Sequence, residues 1–593
     1  MDFYQANLDA IKIRSEIYYD LLKSQPTQRK LKIKDKPEEA DKVLDTLKKH
    51  DNTGVIVIFG FGEGHLAEKA LDVMGKGFAL VIYEYNIPQF NRVLHNHDFS
   101  KLWKDDRVVL SLKPDEGYGF LEHLRKYVYM GRLWMLVHPE SDKMKAKYEK
   151  ICNEIARAKA LFEINIGTQV GMGKHFMNSL MDNVPEIIKK HGVKELRDIY
   201  KDKPCVCISP GPSLKRDIEN LKANRDKAVY LAVDCVVPFL MEHDFIPDFI
   251  CGIDPLEDNA RLYTDPRLKD VPLIAIMQYT PEVIKTYPGQ IFMSSQYGNQ
   301  IFQWLGQYWE DRGIVDCPGG SVSHFVVGIA EFMGCNPIAI IGQDLSFTDS
   351  YYCADIGAIL DVPGKPLDRT ADKIPSKNMH GKDCYTTGIF VAFKMWFERK
   401  FEAMKKAGKK VFNLSYGGMH IENTQEMKFV NFIKKYGTQI EKQHVFPATL
   451  TAQPDKIIEE LKAGHKVLKD VVAASYEIIP KLHEIMKLIP ERNKDEINKI
   501  IYSIAEPKRR TMHPFLCVIH AYHFKIDIYL NRFEVREVDN IPDKFECLTA
   551  QTDKAINYYG ELIEASELFI EQIERVLNSF GVDVAEHKEA VNE

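Results

Sequence analysis

The chain has 593 residues, of which 45% are hydrophobic and 28% are charged, and this balance excludes wholesale disorder. Its length exceeds what one hydrophobic core supports, so we expect roughly two to four domains. Because 79 lysines and arginines stand against 85 aspartates and glutamates, a formal net charge of −6, no basic field covers the whole surface and nucleic acid is not an expected partner.

The sequence predicts a cytoplasmic protein without membrane insertion. No apolar run reaches the roughly 18 residues that a membrane-spanning helix needs. The N-terminal stretch MDFYQANLDAIKIRSEIYYD carries charges throughout and lacks the apolar core of a signal peptide. The eleven cysteines include no CxxC pair, which indicates reduced thiols and argues against a zinc site of paired cysteines.

The first region, residues 1–185, has the pattern of a parallel α/β domain. The apolar run Val55–Phe59 predicts a buried strand, and the segment FALVIYEYN predicts a second strand that reaches Glu84. A third strand is predicted within Arg132–Pro139. Because helical segments separate these strands, we expect a Rossmann-like domain.

A glycine cluster follows the first of these strands. Gly60, Gly62 and Gly64 precede a predicted helix, where a ligand phosphate could approach the backbone, and Glu84 stands where a ribose-binding acid would fall. The spacing is GxGxG and not the complete dinucleotide-binding pattern. We therefore prefer a tight turn without a ligand, although nucleotide binding stays open.

The middle region, residues 186–445, repeats the α/β pattern more strongly. Short apolar runs bounded by Gly, Pro or Asp predict buried strands, with helical segments between them. These runs are Cys205–Ser209, Ala228–Val233, Phe249–Ile253, Leu273–Met277, Pro337–Gly342 and Lys410–Ser415. The pattern is typical of a doubly wound α/β domain.

A turn with Gly211, Pro212 and Ser213 links the first of these strands to a helix that begins near Leu214. Glycine permits backbone conformations that other residues resist, and proline suits the entry to a helix. Ser213 is a candidate N-cap whose hydroxyl could instead face a phosphate. The free amides at such a helix start favour an anion, so this turn is a candidate phosphate site.

Aspartates close three of the predicted strands: Asp234, Asp254 and Asp344. Because the carboxyl ends of parallel strands meet at one edge of a sheet, we expect these acids to face one crevice. They could bind sugar hydroxyls, hold a divalent cation or act as a base. Helix capping is the alternative for each acid taken singly.

A second helix start in this region contains Gly320 and Ser321 and also suits an anion. His324 lies on the helix that follows, where packing is the preferred interpretation. His380 lies in a polar loop and is the better candidate for a general base, although an ordinary surface histidine is equally compatible. His420 follows the last strand and could line the crevice or pack beside it.

The last region, residues 446–593, has almost no glycine and contains long stretches in which apolar residues recur every three or four positions. This period predicts packed helices and a helical bundle. The basic triplet Lys508–Arg510 lies between two predicted helices. We interpret it as a solvated connector and not as a nucleic-acid patch.

Four segments of the middle region, taken in order, carry a family resemblance. They are SPGPSLKRDIENL, YLAVDCVVPFLMEHDFIPDFICGIDP, CPGGSVSHFVVGIAEFMGCNPIAIIGQDLSF and NLSYGGMHIENT. Together they resemble the motility accessory factor family of flagellin glycosyltransferases, whose central domain is similar to the small bacterial sialyltransferases. The resemblance implies an N-terminal Rossmann-like domain over 1–185, a central glycosyltransferase domain over 186–445 and a C-terminal helical domain over 446–593.

The resemblance also implies an activity. Such proteins move a nonulosonic acid of the pseudaminic or legionaminic type from its CMP-activated donor to Ser or Thr hydroxyls of flagellin, a step in flagellum assembly and motility. Flagellin is then the protein acceptor and the CMP-sugar is the donor substrate. No cofactor is required, Mg²⁺ is compatible with the chemistry but demanded by no motif, and a homo-oligomer stays open.

Carried over position by position, the resemblance implies a donor site made of the glycine-proline turn, strand ends and the second helix start. Its donor-binding residues are Gly211, Pro212, Ser213, Asp234, Gly320, Ser321 and Gln343. The catalytic candidates are Asp344, His380 and Asp254, of which His380 is the loose counterpart of the loop base of sialyltransferases. The tyrosines that flank the leaving phosphate in those enzymes are not clearly reproduced, although Tyr351 and Tyr352 lie nearby in sequence.

Two other functions remain as alternatives. A related archaeal group consists of pterin pyrophosphokinases, which use ATP and Mg²⁺, but the large flanking regions here suit a protein acceptor and a Walker-type lysine loop is absent. The third hypothesis is that the chain is a non-catalytic flagellin-binding chaperone whose C-terminal helices pack against flagellin. The acids at the strand ends argue against a decayed site.

Overall fold

The computed structural model describes residues 2–24, 53–73, 77–112, 133–137, 148–149, 151–152, 155, 172–295, 300–308, 313–315, 320–346, 374–442, 453–516, 518–519 and 544–582. The chain divides into two compact units. Unit 1 comprises Met1–Gly167, Ile478–Ile504 and Lys525–Gly560, and unit 2 comprises Thr168–Glu477, Ala505–Phe524 and Glu561–Glu593. The residues after 446 are therefore shared between the units, and the division into three domains stays a prediction.

Unit 1 contains a parallel sheet of four strands in the order β3-β2-β1-β4. The strands are β1 (Thr53–Phe59), β2 (Gly77–Tyr83), β3 (Val108–Ser111) and β4 (Leu133–Val137). Alternate residues of β1 enter two different apolar clusters, with Ile56 and Ile58 in one and Val55 and Val57 in the other. Because both faces are buried, the strand has a continuous apolar sequence. The predicted Rossmann-like sheet is confirmed, and β3 adds a strand that was not predicted.

Unit 2 contains a parallel sheet of nine strands in the order β15-β14-β11-β6-β7-β8-β9-β10-β5. The strands are β5 (His191–Gly192), β6 (Cys205–Ile208), β7 (Val229–Val233), β8 (Phe249–Gly252), β9 (Leu273–Ile276), β10 (Ile291–Ser294), β11 (Ile338–Ile341), β14 (Val411–Asn413) and β15 (Gln425–Glu426). A separate antiparallel hairpin is formed by β12 (Ile374–Lys377) and β13 (Asp383–Thr386). The six predicted strands of the doubly wound domain are confirmed.

The direction of the chain through this sheet changes between β6 and β11. From β6 the chain proceeds through β7, β8, β9 and β10 towards one edge, and then it returns to place β11 and β14 on the other side of β6. In open α/β sheets, ligands bind outside the carboxyl ends of the strands at such a switch point. A ligand site is therefore expected at the loops that follow β6 and β11.

Both units also contain helices. They are α1 (Phe3–Lys12), α2 (Glu16–Ser24), α3 (His65–Val73), α4 (Ile87–Asn96), α5 (Ser100–Lys104), α6 (172–187), α7 (Leu214–Ala223), α8 (Val237–Glu242), α9 (Pro281–Thr286), α10 (Gln300–Leu305), α11 (Val322–Phe332), α12 (Gly388–Lys406), α13 (Phe429–Tyr436), α14 (Pro454–Leu488), α15 (Lys494–Ser503), α16 (Ala505–Arg510) and α17 (Lys544–Ser579). The described part of the last region is helical, as predicted. Within the described ranges, no helix is both long enough and apolar enough to cross a membrane.

A buried ion cluster lies at the amino ends of β7 and β8. The carboxylate of Asp248 accepts hydrogen bonds from Arg225 Nη2 at 2.6 Å, Lys442 Nζ at 2.8 Å and the backbone N–H of Tyr230 at 2.8 Å. Lys442 Nζ also donates to the carbonyl oxygens of Arg225 and Ala228. The cluster joins the segment after α13 to the edge of the sheet opposite the switch point, where its role is structural.

Candidate functional site at the switch point of the central sheet

Two glycines bring the loops after β6 and β11 into direct contact. The backbone N–H of Gly211 donates to the carbonyl oxygen of Gly342 at 2.7 Å, and a Cβ atom on Gly211 would lie 2.3 Å from that oxygen. Gly342 has φ +69°, and a Cβ atom there would lie 2.0 Å from the carbonyl oxygen of Ser209. Real Cβ atoms do not approach oxygen so closely, so both positions require glycine.

Asp344 binds the start of α7. One of its carboxylate oxygens accepts from the backbone N–H of Ser213 at 2.7 Å, and the other accepts from the Ser213 hydroxyl at 2.5 Å. Burial raises the pKa of Asp344, while the hydrogen bonds from Ser213 and the charge of Arg216 act in the opposite direction. Ser213 occupies the predicted N-cap position, but its hydroxyl donates to Asp344 and does not cap the helix. Asp344 thus fixes the phosphate-site turn that the sequence predicts.

The loop after β14 holds residues 343–344, which follow β11, from a second side. The backbone N–H of Gln343 donates to the hydroxyl of Ser415 at 2.7 Å, and that of Met419 donates to the carbonyl oxygen of Asp344 at 2.8 Å. A Cβ atom on Gly418 would lie 2.5 Å from the Cα of Asp344. Residues 343–344 are therefore fixed from two sides before any ligand binds, which is the preorganisation that a binding site needs.

A cavity of about 160 Å³ lies at the carboxyl ends of β6, β7 and β11, beside the amino end of α11. Its polar wall includes the hydroxyls of Ser209 and Ser323, which are hydrogen-bonded to each other at 2.9 Å. Ser321 is the N-cap of α11 and accepts from the backbone N–H of Ser323 at 3.3 Å. Phe390 and Phe393 of α12 form an apolar wall. Hydroxyls at a helix start opposite aromatic rings suit an anionic ligand with a ring or an apolar face.

Gln343 presents an unmet hydrogen-bond acceptor to this cavity. The residue lines the cavity and is only 7% exposed, and its side-chain carbonyl oxygen is buried without a hydrogen-bond partner among the described residues. Buried polar atoms are rarely left unpaired, because each one costs about 1–3 kcal/mol. A ligand that brings an N–H or O–H group into the cavity would meet this acceptor.

Asp234 and Asp254 lie at the carboxyl ends of the neighbouring strands β7 and β8. Asp234 lies between two cavity-lining residues, but its own carboxyl accepts from the Tyr279 hydroxyl at 3.0 Å and from the backbone N–H of Cys235 at 2.8 Å. Burial and the nearby Asp254 raise the pKa of Asp234 to about 7. Burial raises the pKa of Asp254 to about 6, although this side chain is only half-buried.

The predicted histidines fall in three different environments. His324 is buried and stacks on Trp396 with ring centroids 4.2 Å apart, and burial lowers its pKa to about 3, so the packing interpretation is confirmed. His380 is exposed at the turn of the β12–β13 hairpin and is not among the described residues that line the cavity. His420 is exposed and hydrogen-bonded to Glu426. A catalytic role for His380 stays a prediction.

The structure brings together only part of the predicted site. The predicted residues that line the cavity are Gly211, Ser321, Gln343 and Asp344. Those that do not line it are Pro212, Ser213, Asp234, Asp254, Gly320 and His380. Tyr351 and Tyr352 lie outside the described residues. The sequence analysis did not identify Phe390 and Phe393, whose spacing of three positions at a helix start places both rings on one face.

The thiols and candidate metal ligands add no further site. The cysteines at the described positions are free, as predicted, and burial raises the pKa of Cys205 well above its ordinary value. In the described ranges, no group of three or more His, Cys, Asp or Glu side chains has an arrangement that could hold a metal ion. The functional groups of the switch-point cavity are hydroxyl, amide and carboxyl groups.

In unit 1, the carboxylate of Glu84 is hydrogen-bonded to groups of the protein itself beside the glycine cluster. Glu84 is buried, and its carboxylate accepts from the backbone N–H groups of Phe61 at 2.8 Å and Asn86 at 2.5 Å and from the Tyr148 hydroxyl at 3.3 Å. Phe61 packs edge-on against Phe90 at 5.1 Å between ring centroids. The acid that could have bound a ribose closes the turn instead, as the tight-turn interpretation predicts.

Gly64→Ala should lower the local stability of unit 1 by about 2 kcal/mol, because strained backbone and overpacking each cost on this scale. Gly64 has φ +95°, and a Cβ atom would lie 2.5 Å from the ring of Phe99. Hydrogen exchange of residues 53–83, followed by mass spectrometry, should become faster than in the wild type. Gly560→Ala is the control, since nothing lies within 4 Å of its Cβ position. Equal exchange in both variants would contradict the prediction.

Comparisons with known proteins show what the chain is similar to. A sequence model of the family described as 6-hydroxymethylpterin diphosphokinase MptE-like matches residues 178–350, the part that contains β6 to β11. An uncharacterized protein of Treponema pallidum (strain Nichols) is 25% identical over 133 residues, which are 22% of this chain and 60% of that protein. The chain therefore spans about 60% of the length of this relative.

The solved structure of the MAf glycosyltransferase from Magnetospirillum magneticum AMB-1 is similar over nearly the whole chain. The similarity covers 98% of this chain and 96% of that chain, with a TM-score of 0.52 and 14% sequence identity. The chain thus has the fold of that MAf glycosyltransferase. The resemblance to the motility accessory factors, stated from four sequence segments, is confirmed at the level of the fold.

Proposed function

We propose that this chain is a glycosyltransferase that moves a nonulosonic acid from a CMP-activated donor to Ser or Thr hydroxyls of flagellin, in the cytoplasm. The observation that carries the proposal is the cavity at the switch point, where the amino end of α11 meets the loops after β6 and β11, which are held together at Gly211 and Gly342. Helix starts of this kind attract phosphate groups. The shared fold with a MAf glycosyltransferase supports the same function.

The residues of the site suit the chemistry of a CMP-sugar. The bond between the anomeric carbon and the CMP phosphate oxygen breaks, and its electrons leave with CMP, so no covalent nucleophile is needed. Fixed donors such as the hydroxyls of Ser209 and Ser323 can stabilise the departing phosphate. The acceptor oxygen bonds to the anomeric carbon and its proton passes to a base, for which Asp254 and His380 are the candidates.

The experiment is intact-mass analysis of flagellin that is co-expressed with this protein and a defined CMP-nonulosonic acid pathway. The wild type should add the mass of the sugar to flagellin. Asp344→Ala should abolish the added mass, because the start of α7 loses both hydrogen bonds from Ser213 to the carboxylate. Asp270→Ala is the control, since Asp270 is exposed at the amino side of β9 and should leave the modification unchanged.

A second function is favoured by the family match, which bears the name of a pterin diphosphokinase. That reaction transfers diphosphate from ATP to a hydroxymethylpterin and releases AMP. Incubation of the purified protein with ATP, Mg²⁺ and 6-hydroxymethylpterin would test it directly. Release of AMP without any modification of flagellin would replace our proposal by this one, whereas modified flagellin without AMP release would support ours.

A further inference from the structure

The cavity at the switch point combines an aromatic wall with a buried amide. Phe390 and Phe393 of α12 form the apolar wall, and Gln343 lines the same cavity from the loop after β11. Pockets that enclose a complete ligand usually measure about 300–1,000 Å³. Because this cavity has a volume of about 160 Å³, it encloses one part of a CMP-sugar and leaves the rest of the donor outside.

The rings of Phe390 and Phe393 form a corner. Their centroids lie 6.4 Å apart and their planes are inclined at 45°, so a flat ligand does not fit between them as between parallel plates. It can instead stack on one ring and present its edge to the other, which is a favourable arrangement of aromatic groups. Every nucleobase has a face that stacks on an aromatic side chain. The corner therefore suits a nucleobase.

The ring of Phe393 is held beside the start of α11. A Cβ atom on Gly320, the residue before the N-cap Ser321, would lie 3.6 Å from this ring. Nε2 of His324 donates to the backbone carbonyl oxygen of Phe393 at 3.2 Å, and the two rings pack edge-on with centroids 5.2 Å apart. The aromatic face and the hydroxyls at the helix start thus belong to one surface. A single ligand can meet this surface with a flat ring and a phosphate.

Gln343 supplies the polar group that the edge of a base needs. The residue is only 7% exposed, and its side-chain carbonyl oxygen is buried without a hydrogen-bond partner among the described residues. The last torsion of a glutamine side chain is broad, so the amide can turn its oxygen towards a donor that enters the cavity. Cytosine is the one part of a CMP-sugar that joins a flat apolar face to N–H groups on its edge. The ribose and the nonulosonic acid have puckered rings.

We propose that Phe393 and Gln343 determine the specificity for the donor base: the cytosine ring stacks on Phe393, and its exocyclic amino group donates to the side-chain carbonyl oxygen of Gln343. The inference rests on the proposed function. The CMP phosphate then lies towards the hydroxyls of Ser209 and Ser323, and the sugar extends beyond the cavity. A base without the amino group leaves the buried oxygen of Gln343 unpaired, which is how such a site rejects an analogue.

The test compares two nucleotides by isothermal titration calorimetry of the full chain: CMP, and its 4-deamino analogue, whose ring lacks the exocyclic amino group. The wild type should bind CMP about 5-fold more tightly than the analogue, since a hydrogen bond has a net worth of roughly 1 kcal/mol. Gln343→Leu should bind CMP about 5-fold more weakly than the wild type and the analogue equally well, so the preference disappears. A merely structural role of Gln343 would weaken the binding of both nucleotides alike, which would overturn the proposal.

Phe393→Leu should weaken the binding of both nucleotides by about 10-fold, because the base loses its aromatic support. Gln425→Leu is the matched control for Gln343→Leu. Gln425 is exposed on β15 and is not among the described residues that line the cavity, so both affinities should equal those of the wild type. A wild type that binds CMP and the analogue equally would overturn the proposal, whether or not Gln343→Leu folds.

These binding measurements need no acceptor, so they separate the inference from the proposed function. If CMP binds as expected but flagellin gains no mass, the base specificity stands and the transfer to flagellin fails. If flagellin is modified but Gln343→Leu weakens only the binding of the complete CMP-sugar and not that of CMP, the inference fails and the proposed function stands. Binding of 6-hydroxymethylpterin without any binding of CMP would overturn both.

Discussion

Gly211→Ala should reduce sugar transfer by roughly 100-fold or more while the protein stays folded, since a displacement of about 1 Å in a site can cost this much. The new Cβ atom would lie 2.3 Å from the carbonyl oxygen of Gly342 and 2.8 Å from the Asp344 carboxylate. The loops after β6 and β11 must then separate, and the turn at the start of α7 moves out of place. Rates of transfer to purified flagellin, with CMP-sugar in excess, measure the loss.

Gly173→Ala is the control for this variant. Gly173 also lies in unit 2, but no atom lies within 4 Å of its Cβ position, so the rate should remain that of the wild type. Circular dichroism of both variants checks that the fold is retained. A Gly211→Ala protein that transfers sugar at the wild-type rate would show that the two loops do not form the donor site.

Lys442→Met should lower the free energy of unfolding of unit 2 by about 2 kcal/mol, because the buried Asp248 loses one charged hydrogen-bond partner while Arg225 remains. The Lys442 side chain is 9% exposed and that of Asp248 is 3% exposed, so water cannot replace the lost cation. The segment after α13 also loses its bonds to the carbonyl oxygens of Arg225 and Ala228. Urea denaturation of the full chain, followed by tryptophan fluorescence, measures the change.

The loss of unfolding free energy in Lys442→Met should be larger at high pH than at low pH. Burial raises the pKa of Asp248 from its ordinary 3.8 to about 6. A raised pKa means that this carboxyl favours the folded state below pH 3.8 and that the benefit is lost as the pH rises through 6. Lys442 offsets the cost of the charged form, so the deficit of Lys442→Met should be larger at pH 8 than at pH 5. Lys434→Met, at an exposed lysine of α13, should show little loss at either pH.

The sheets could be predicted because their central strands are buried on both faces. Segments such as CVCI in β6 and IAII in β11 are continuous apolar runs, and each is followed by a turn residue. The shortest strands could not be predicted. β5 consists of His191 and Gly192 and β15 of Gln425 and Glu426, and such pairs carry no periodic pattern. Their pairing depends on neighbouring strands that only the folded sheet supplies.

The site could be predicted only as a set of polar residues at strand ends. The sequence identifies Gly211 and Asp344 as neighbours of one crevice, because carboxyl ends of parallel strands meet there, and the family resemblance adds Gln343. It does not show that Asp344 is bound to Ser213, 131 positions away, or that Asp234 is bound to Tyr279, 45 positions away. Contacts over such separations follow from the order of strands in the sheet, and no local pattern encodes them.

The hydrogen bonds that join Ser415 and Met419 to residues 343–344 determine how short a fragment of the chain can be and still keep the switch-point cavity intact. The stretch matched by the family ends at residue 350, well before these two residues. A truncation at residue 350 would retain the polar side chains that the loops after β6 and β11 contribute to the cavity wall. It would still lose the hydrogen bonds that join Ser415 and Met419 to residues 343–344. Attempts to isolate a minimal catalytic core should therefore extend beyond residue 419.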